Sequence, residues 1–160
     1  MVSQLSEYDL STLYQLMKPI TWTKKKKDGL NNRLGFPDHR STVFGIVRPR
    51  KNSGILTLSN DSKKYPHILE ALDKIGTELN CVYNAIQVNR NCQCPPHFDK
   101  KNVGDSMLIS FGDYENGEIV IDGVKYNAYH RPTIFNGSQL EHYNEPHTGD
   151  KFSIIYFLMK

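Results

Sequence analysis

Beyond residue 81 this 160-residue chain breaks into short β-prone runs, and their spacing constrains the fold more than any other feature. The runs fall at 82–91, 96–99, 106–112, 117–121, 124–129, 132–135, 139–143 and 152–158, parted by Gly, Asn, Asp and Pro. Closely spaced strands preceded by two helical patterns predict a mostly β (α+β) chain, a two-sheet jelly roll with helices packed outside it. Asp122-Gly123 reads as a hairpin turn and Gly149-Asp150 as a turn before the last strand.

The two helical patterns lie in the first half. Leu10, Leu13, Leu16 and Met17 have helical spacing within 6–18, and Ile68, Leu69, Leu72, Ile75 and Leu79 share a face within 66–79, where only Gly76 weakens the propensity. Residues 42–48 form a β-prone run that Pro49 stops, and 21–40 read as loop. A chain of this length makes one domain, 1–160, with 1–80 as a helical and basic support and 81–160 as the β core.

Three cysteines (Cys81, Cys92, Cys94) are too few and odd in number for a disulfide framework. No apolar stretch approaches the roughly 20 residues that span a bilayer, and the first residues lack the pattern of a secretion signal. The expected setting is intracellular, cytoplasmic or nuclear, with no membrane partner. The overall charge of +3 hides an asymmetry, since residues 18–51 carry ten Lys or Arg against Asp28 and Asp38. That segment reads either as a contact for a polyanion such as DNA or RNA or as a solvated loop.

Alternation within two strands locates an interior polar surface. In 84–91, Ile86 and Val88 fall on one face and Gln87, Asn89 and Asn91 on the other. In the last run Lys151 and Ser153 share a face with Ile155 and Phe157, while Phe152, Ile154, Tyr156 and Leu158 take the opposite one. A strand apolar on both faces is buried on both sides. A lysine at its start is costly to bury unless it meets an anion.

His97-Phe98-Asp99 supplies a metal-binding pattern, because side chains two apart on a strand point the same way. With one more histidine they make a two-His-one-carboxylate triad that leaves coordination positions open and suits non-haem Fe(II). By itself the triplet is equally a surface turn after Pro95-Pro96. In company with a later histidine, a turn and a final strand opening Lys151-Phe152-Ser153, the chain resembles the Fe(II)/2-oxoglutarate-dependent dioxygenases over about residues 83–158.

That resemblance implies a double-stranded β-helix of the jelly-roll, cupin-like kind. His97, Asp99 and His142 would hold Fe(II), and Lys151 and Ser153 would bind the far carboxylate of the 2-oxoglutarate co-substrate. O2 would be consumed, succinate formed and a C–H bond hydroxylated, with ascorbate as a stimulant. His142 lies nine residues before Lys151, the family's interval; His147 is a second choice and His130 comes too early. A lysine replaces the commoner arginine, so Ser153 or a tyrosine would complete the carboxylate site. Gln87 and Asn89 would contact the co-substrate or brace the ligands; the other reading of them is a solvated face.

Within the superfamily the Asn-rich strand, the run from Pro96 to Ser106 and Phe111-Gly112-Asp113-Tyr114 loosely resemble the Tet/JBP type, which oxidises methyl groups of bases. The implied substrate is a macromolecule, foremost a nucleic-acid base, with prolyl-type protein hydroxylation or small-molecule hydroxylation as alternatives. A rival of another class is a structural zinc module using Cys92, Cys94 and His97, although Cys-x-Cys is tighter than usual zinc spacing. Nucleophile-elbow and phosphate-loop motifs are absent.

Overall fold

The computed structural model describes residues 7–20, 40–47 and 56–159. Helix α1 (Glu7–Met17) buries Leu10, Leu13 and Met17 and ends before Pro19, which disfavours helix in the residue preceding it. Strands β1 (Arg40–Val47) and β2 (Thr57–Leu58) follow, then a short helix α2 (Asn60–Lys64) capped by the Ser59 hydroxyl, which accepts from the Ser62 N–H at 3.2 Å. Helix α3 (Pro66–Glu78) starts on a proline, whose missing N–H has no helical partner to lose at that position. It buries Ile68, Leu72 and Ile75. Both expected helices are present; α2 is an addition too short to show a periodic apolar face.

The remaining strands are β3 (Ala85–Arg90), β4 (Asn102–Asn116), β5 (Ile119–Ile121), β6 (Val124–Tyr126), β7 (Thr133–Phe135), β8 (His142–Asn144) and β9 (His147–Met159). They form a six-stranded sheet in the order β2-β1-β3-β9-β4-β7 and a three-stranded sheet in the order β6-β5-β8. Every ladder is antiparallel. This is the expected jelly roll with helices outside. β1, from the first half of the chain, pairs with β3 and so joins the larger sheet.

One face of the larger sheet carries Ile86, Val88, Ile109, Phe111, Phe152, Ile154 and Tyr156 against Leu10, Leu13, Ile68 and Leu72 of the helices. The other face meets the smaller sheet through Leu108, Ile119, Ile121, Ala128 and Phe135. β9 is therefore sandwiched, as its double apolar pattern requires. Gln87, Asn89, Ser153, Ile155 and Phe157 all face the space between the sheets. Asn91 does not join them on that face: it leaves β3 with φ +54° and clamps β9 at Lys151, its Oδ1 accepting from the Lys151 N–H at 2.8 Å.

Two local expectations change. Residues 96–99 form no strand; His97 makes a single bridge with His142, because Pro95 and Pro96 offer no N–H to extend a ladder. Gly149-Asp150 is no turn either. β9 runs straight through it, with Asp113 paired to Asp150 and Gly149 at φ +96°. A side chain on Gly149 would strike the carbonyl of Asp113, and one on Gly112 that of Asp150, so the two glycines let the paired strands β4 and β9 approach closely.

In the basic segment 18–51, residues 21–39 and 48–51 lie outside the described residues, and with them most of the expected polyanion contact. Among the described residues no helix is long and apolar enough to cross a membrane.

Candidate metal centre and its cavity

His97, Asp99 and His142 come together at one end of the space between the sheets, their ligand atoms all within 4.8 Å of one another. The bridge that brings the histidines into register is reciprocal: the His97 N–H donates to the His142 carbonyl at 3.1 Å, and the His142 N–H to that of His97 at 3.0 Å. Asp99 is fixed by its N–H, which donates to the Gly137 carbonyl at 2.8 Å. A tight turn from Asn136 supplies that carbonyl, and its next residues supply Leu140. Gly137 lies so close that a Cβ there would stand 3.2 Å from both Asp99 Oδ2 and His142 Cε1.

Each imidazole is oriented from behind. His97 Nδ1 lies 2.8 Å from the Pro95 carbonyl and His142 Nδ1 lies 2.9 Å from the Leu140 carbonyl. A carbonyl only accepts, so each Nδ1 carries the proton and each Nε2 turns inward. His142 Nε2 then meets Asp99 Oδ2 at 3.0 Å, and His97 Nε2 meets Asp99 Oδ1 at 3.5 Å. Lone pair facing lone pair is repulsive unless a cation stands between them, either a proton or a metal ion. Burial pulls the His142 imidazole down, but its hydrogen bonds with Asp99 and Leu140 and the Asp99 charge outweigh that, so its pKa lies above the ordinary imidazole value. Two neutral imidazoles and a carboxylate, oriented by backbone carbonyls, fit a divalent first-row metal.

The centre opens asymmetrically. The His142 side chain is 5% exposed, whereas those of His97 and Asp99 are 33% and 39% exposed. Inward from it runs a cavity of about 160 Å³. Gln87, Asn89 and Ser153 make its polar wall, and Leu108, Ile119, Ile155 and Phe157 its apolar one. Ser41 ties the amides together: its hydroxyl donates to Asn89 Oδ1 at 2.8 Å and is in hydrogen-bond contact with Gln87 Nε2, which also donates to Asn89 Oδ1 at 3.1 Å. Ser153 and Ser110 share a hydroxyl–hydroxyl bond of 3.1 Å.

Lys151 is 2% exposed and donates from Nζ to the Gly117 carbonyl at 2.6 Å, with the Tyr114 ring centroid 5.6 Å away. It stands beside the wall residues Cys92 and Cys94 rather than on the cavity surface. Burial draws its ammonium down to about 8, with Cys94, Glu118 and Cys92 partly restoring it. Cys92 and Cys94 line the cavity but join no cluster of three metal ligands among the described residues, which weakens the zinc reading. His147 is instead bound to Asn91, its Nε2 lying 3.2 Å from Oδ1.

Sequence reasoning missed Ser41, the two orienting carbonyls and the contact of Gly137 with Asp99 and His142. Asn136-Gly137 was visible as a turn signal; a carbonyl carries no sequence signature at all.

No sequence-family model and no curated protein matches the chain. Solved structures do. NgTET1 in complex with 5mC DNA gives a TM-score of 0.66 at 16% identity, over 98% of this chain and 69% of that one. A 2OG-Fe(II) oxygenase family oxidoreductase from Burkholderia pseudomallei gives 0.61 at 16% identity, over 96% and 80%. A Pseudomonas putida prolyl-4-hydroxylase gives 0.54 at 10% identity, over 100% and 91%. At these identities the likeness is one of architecture: the chain has the fold shared by these three solved structures.

Proposed function

We propose that this protein is an Fe(II)- and 2-oxoglutarate-dependent dioxygenase that hydroxylates a C–H bond of a macromolecule, foremost a nucleic-acid base. The observation that carries the reading is the inward-facing set of His97 Nε2, Asp99 carboxylate and His142 Nε2 at the head of a cavity with one polar and one apolar wall. When bound there, Fe(II) with 2-oxoglutarate and O2 supplies C–H oxidation coupled to decarboxylation of the co-substrate to succinate.

The residues of the chain then have distinct tasks. His97, Asp99 and His142 hold the metal and leave part of its coordination sphere open. Lys151 exchanges its bond with the Gly117 carbonyl for the far carboxylate of the co-substrate, and Ser153 on the same face adds a hydroxyl. Asn89, its Oδ1 held by Ser41 and Gln87, offers its amide N–H along the cavity side, and Gln87, whose N–H groups are spent on Ser41 and Asn89, offers its amide oxygen. Leu108, Ile119, Ile155 and Phe157 exclude water. Ascorbate stimulates by keeping the iron reduced.

Volume supports a macromolecular substrate. A cavity of about 160 Å³ is close to the roughly 150 Å³ that holds one benzene ring. The co-substrate fills it, so the substrate stays outside and presents a small group across the exposed side of His97 and Asp99. Phe98, between the two ligands in sequence, is 42% exposed, and Lys100 and Lys101 follow in the exposed turn closed by the Asn102 N–H and the Asp99 carbonyl at 3.1 Å. An exposed ring beside two lysines suits base stacking and phosphate contact. The DNA held by NgTET1, a neighbour in fold, agrees with this choice.

Anaerobic addition of Fe(II) and 2-oxoglutarate should produce a visible charge-transfer band, and aerobic incubation should yield succinate. Mass spectrometry of nucleosides and peptides after the same incubation identifies the substrate. Oxidised bases support the reading. Hydroxylated peptide alone moves it to a protein hydroxylase, and absence of both band and succinate overturns it.

A further inference from the structure

Asn144 lines the cavity together with Gln87, Asn89 and Ser153, and the proposed reaction gives it no task. Its backbone is engaged: the N–H donates to the Cys94 carbonyl at 3.3 Å, and the residue pairs with Ile119 in the ladder between β5 and β8. Its side-chain amide has no hydrogen-bond partner among the described residues, whereas those of Gln87 and Asn89 are tied to each other and to Ser41. Asn102, the other asparagine in the wall with an unpartnered amide, pairs with Met159 at the far end of β9 from Lys151.

The ladder places the amide. Directly opposed residues of an antiparallel pair share a sheet face. Ile119 and Ile121 both face the space between the sheets, so their partners Asn144 and His142 face it too. From His142 the chain runs through Asn144 towards Lys151: the Gly117 N–H donates to the Pro146 carbonyl at 3.0 Å, and Lys151 Nζ donates to the Gly117 carbonyl at 2.6 Å. Asn144 therefore stands between the metal ligands and the buried ammonium. The cavity there measures about 160 Å³, so little space that each wall group touches whatever fills it.

A lysine meets a carboxylate as a point charge and lacks the planar fork of an arginine. It leaves acceptor positions on the two oxygens open, and the Ser153 hydroxyl is already shared with Ser110 at 3.1 Å. A carboxylate only accepts, and the Asn144 amide carries two N–H donors with nothing else to bind. We propose that Asn144 is a positioning residue that donates to the far carboxylate of the co-substrate beside Lys151 and Ser153, and so sets the preference for a dicarboxylate over a 2-oxo acid with an apolar end. The assignment rests on the co-substrate reading above and adds to it a donor that makes good the missing fork.

The test is titration calorimetry of the full-length protein loaded with Mn(II), using 2-oxoglutarate and 2-oxopentanoate, which keeps the 2-oxo acid head and ends in a methyl group. Asn144→Leu should weaken 2-oxoglutarate roughly tenfold or more and leave 2-oxopentanoate within about twofold, because only the first offers the amide an acceptor. Asn144→Asp sets a second carboxylate against that of the ligand and should weaken 2-oxoglutarate further still. Equal loss for both ligands makes Asn144 a residue that merely shapes the cavity and overturns the assignment. Loss of the Mn(II)-induced rise in melting temperature in both variants does the same, since the effect then lies at the metal ligands. Unchanged 2-oxoglutarate affinity in both variants overturns the assignment and leaves the dioxygenase reading standing. Wild-type protein that binds Mn(II) but no 2-oxoglutarate refutes that reading and the assignment with it.

Discussion

Asp99 Oδ2 lies 3.0 Å from His142 Nε2 across 43 residues of chain, and the proton of His142 Nδ1 is already committed to the Leu140 carbonyl. The contact is attractive only with a positive charge between the two atoms. In metal-free protein a proton serves; a metal ion displaces it, so binding should release protons. Removing either partner leaves a gap in a chelate and leaves the fold, which rests on a separate core, in place.

His97→Ala and Asp99→Ala should each lower succinate formation by roughly 100-fold or more. Mn(II) should raise the melting temperature of the wild type by linkage and leave that of either variant unmoved. A variant that keeps the full metal-induced shift would place the metal elsewhere.

That His97, Asp99 and His142 could meet was legible because their signal is local and periodic. His97 and Asp99 sit two apart, and the register of β9 follows from an alternation in which Ser153 and Ile155 face one way and Phe152 and Ile154 the other. What escaped was set by tertiary geometry. Gly149 read as a turn because glycine before aspartate suits one, yet it serves the close approach of the paired strands β4 and β9. Gly76 read as a weak point in a helix, whereas it is a contact. Lys151 was recognised as a buried cation, but its resting partner is the Gly117 backbone, which no side-chain pattern announces.

Gly137→Ala tests the turn that holds two of the proposed ligands. The added Cβ would come within 3.2 Å of Asp99 Oδ2 and His142 Cε1 and within 3.3 Å of Phe135 Cε2, tighter than ordinary contact. The turn must shift by a few tenths of an ångström, and the Gly137 carbonyl that fixes Asp99 shifts with it. Metal affinity should fall about tenfold, with a much smaller loss of stability. Equilibrium dialysis with Mn(II) and urea unfolding separate the two; a large stability loss with unchanged affinity would refute the prediction.

The Lys151 ammonium, drawn down to about 8 chiefly by burial, gives opposite pH signatures with and without an anion. Between about 8 and its ordinary 10.5 the unfolded chain binds a proton that the ligand-free fold does not. Stability of the ligand-free protein through this group should therefore rise with pH across that window. Affinity for 2-oxoglutarate should do the reverse, level below about pH 8 and falling towards tenfold per unit above it as the charge is lost. Lys151→Met should abolish this slope and most of the affinity. An affinity independent of pH up to 10 would remove Lys151 from the co-substrate site.

Gly76→Ala should destabilise, against the usual rule. In an exposed helix interior alanine replaces glycine with a gain of up to about 1 kcal/mol. In α3 the added Cβ would lie 2.6 Å from Tyr83 Cε1 and 2.8 Å from Tyr156 Cε2. Neither ring yields easily, since Tyr156 donates to the Leu72 carbonyl at 2.6 Å and Tyr83 to Asp73 Oδ1 at 2.7 Å. The two rings also pack edge to face, 4.9 Å between centroids. Overpacking of this kind costs about 1–3 kcal/mol. Urea unfolding of Gly76→Ala, of Tyr83→Ala and of the double variant gives the coupling. The alanine at 76 should cost less once the Tyr83 ring is gone, by about 0.5 kcal/mol or more. Strict additivity, or a stabilised single variant, would mean that α3 does not seat on these rings.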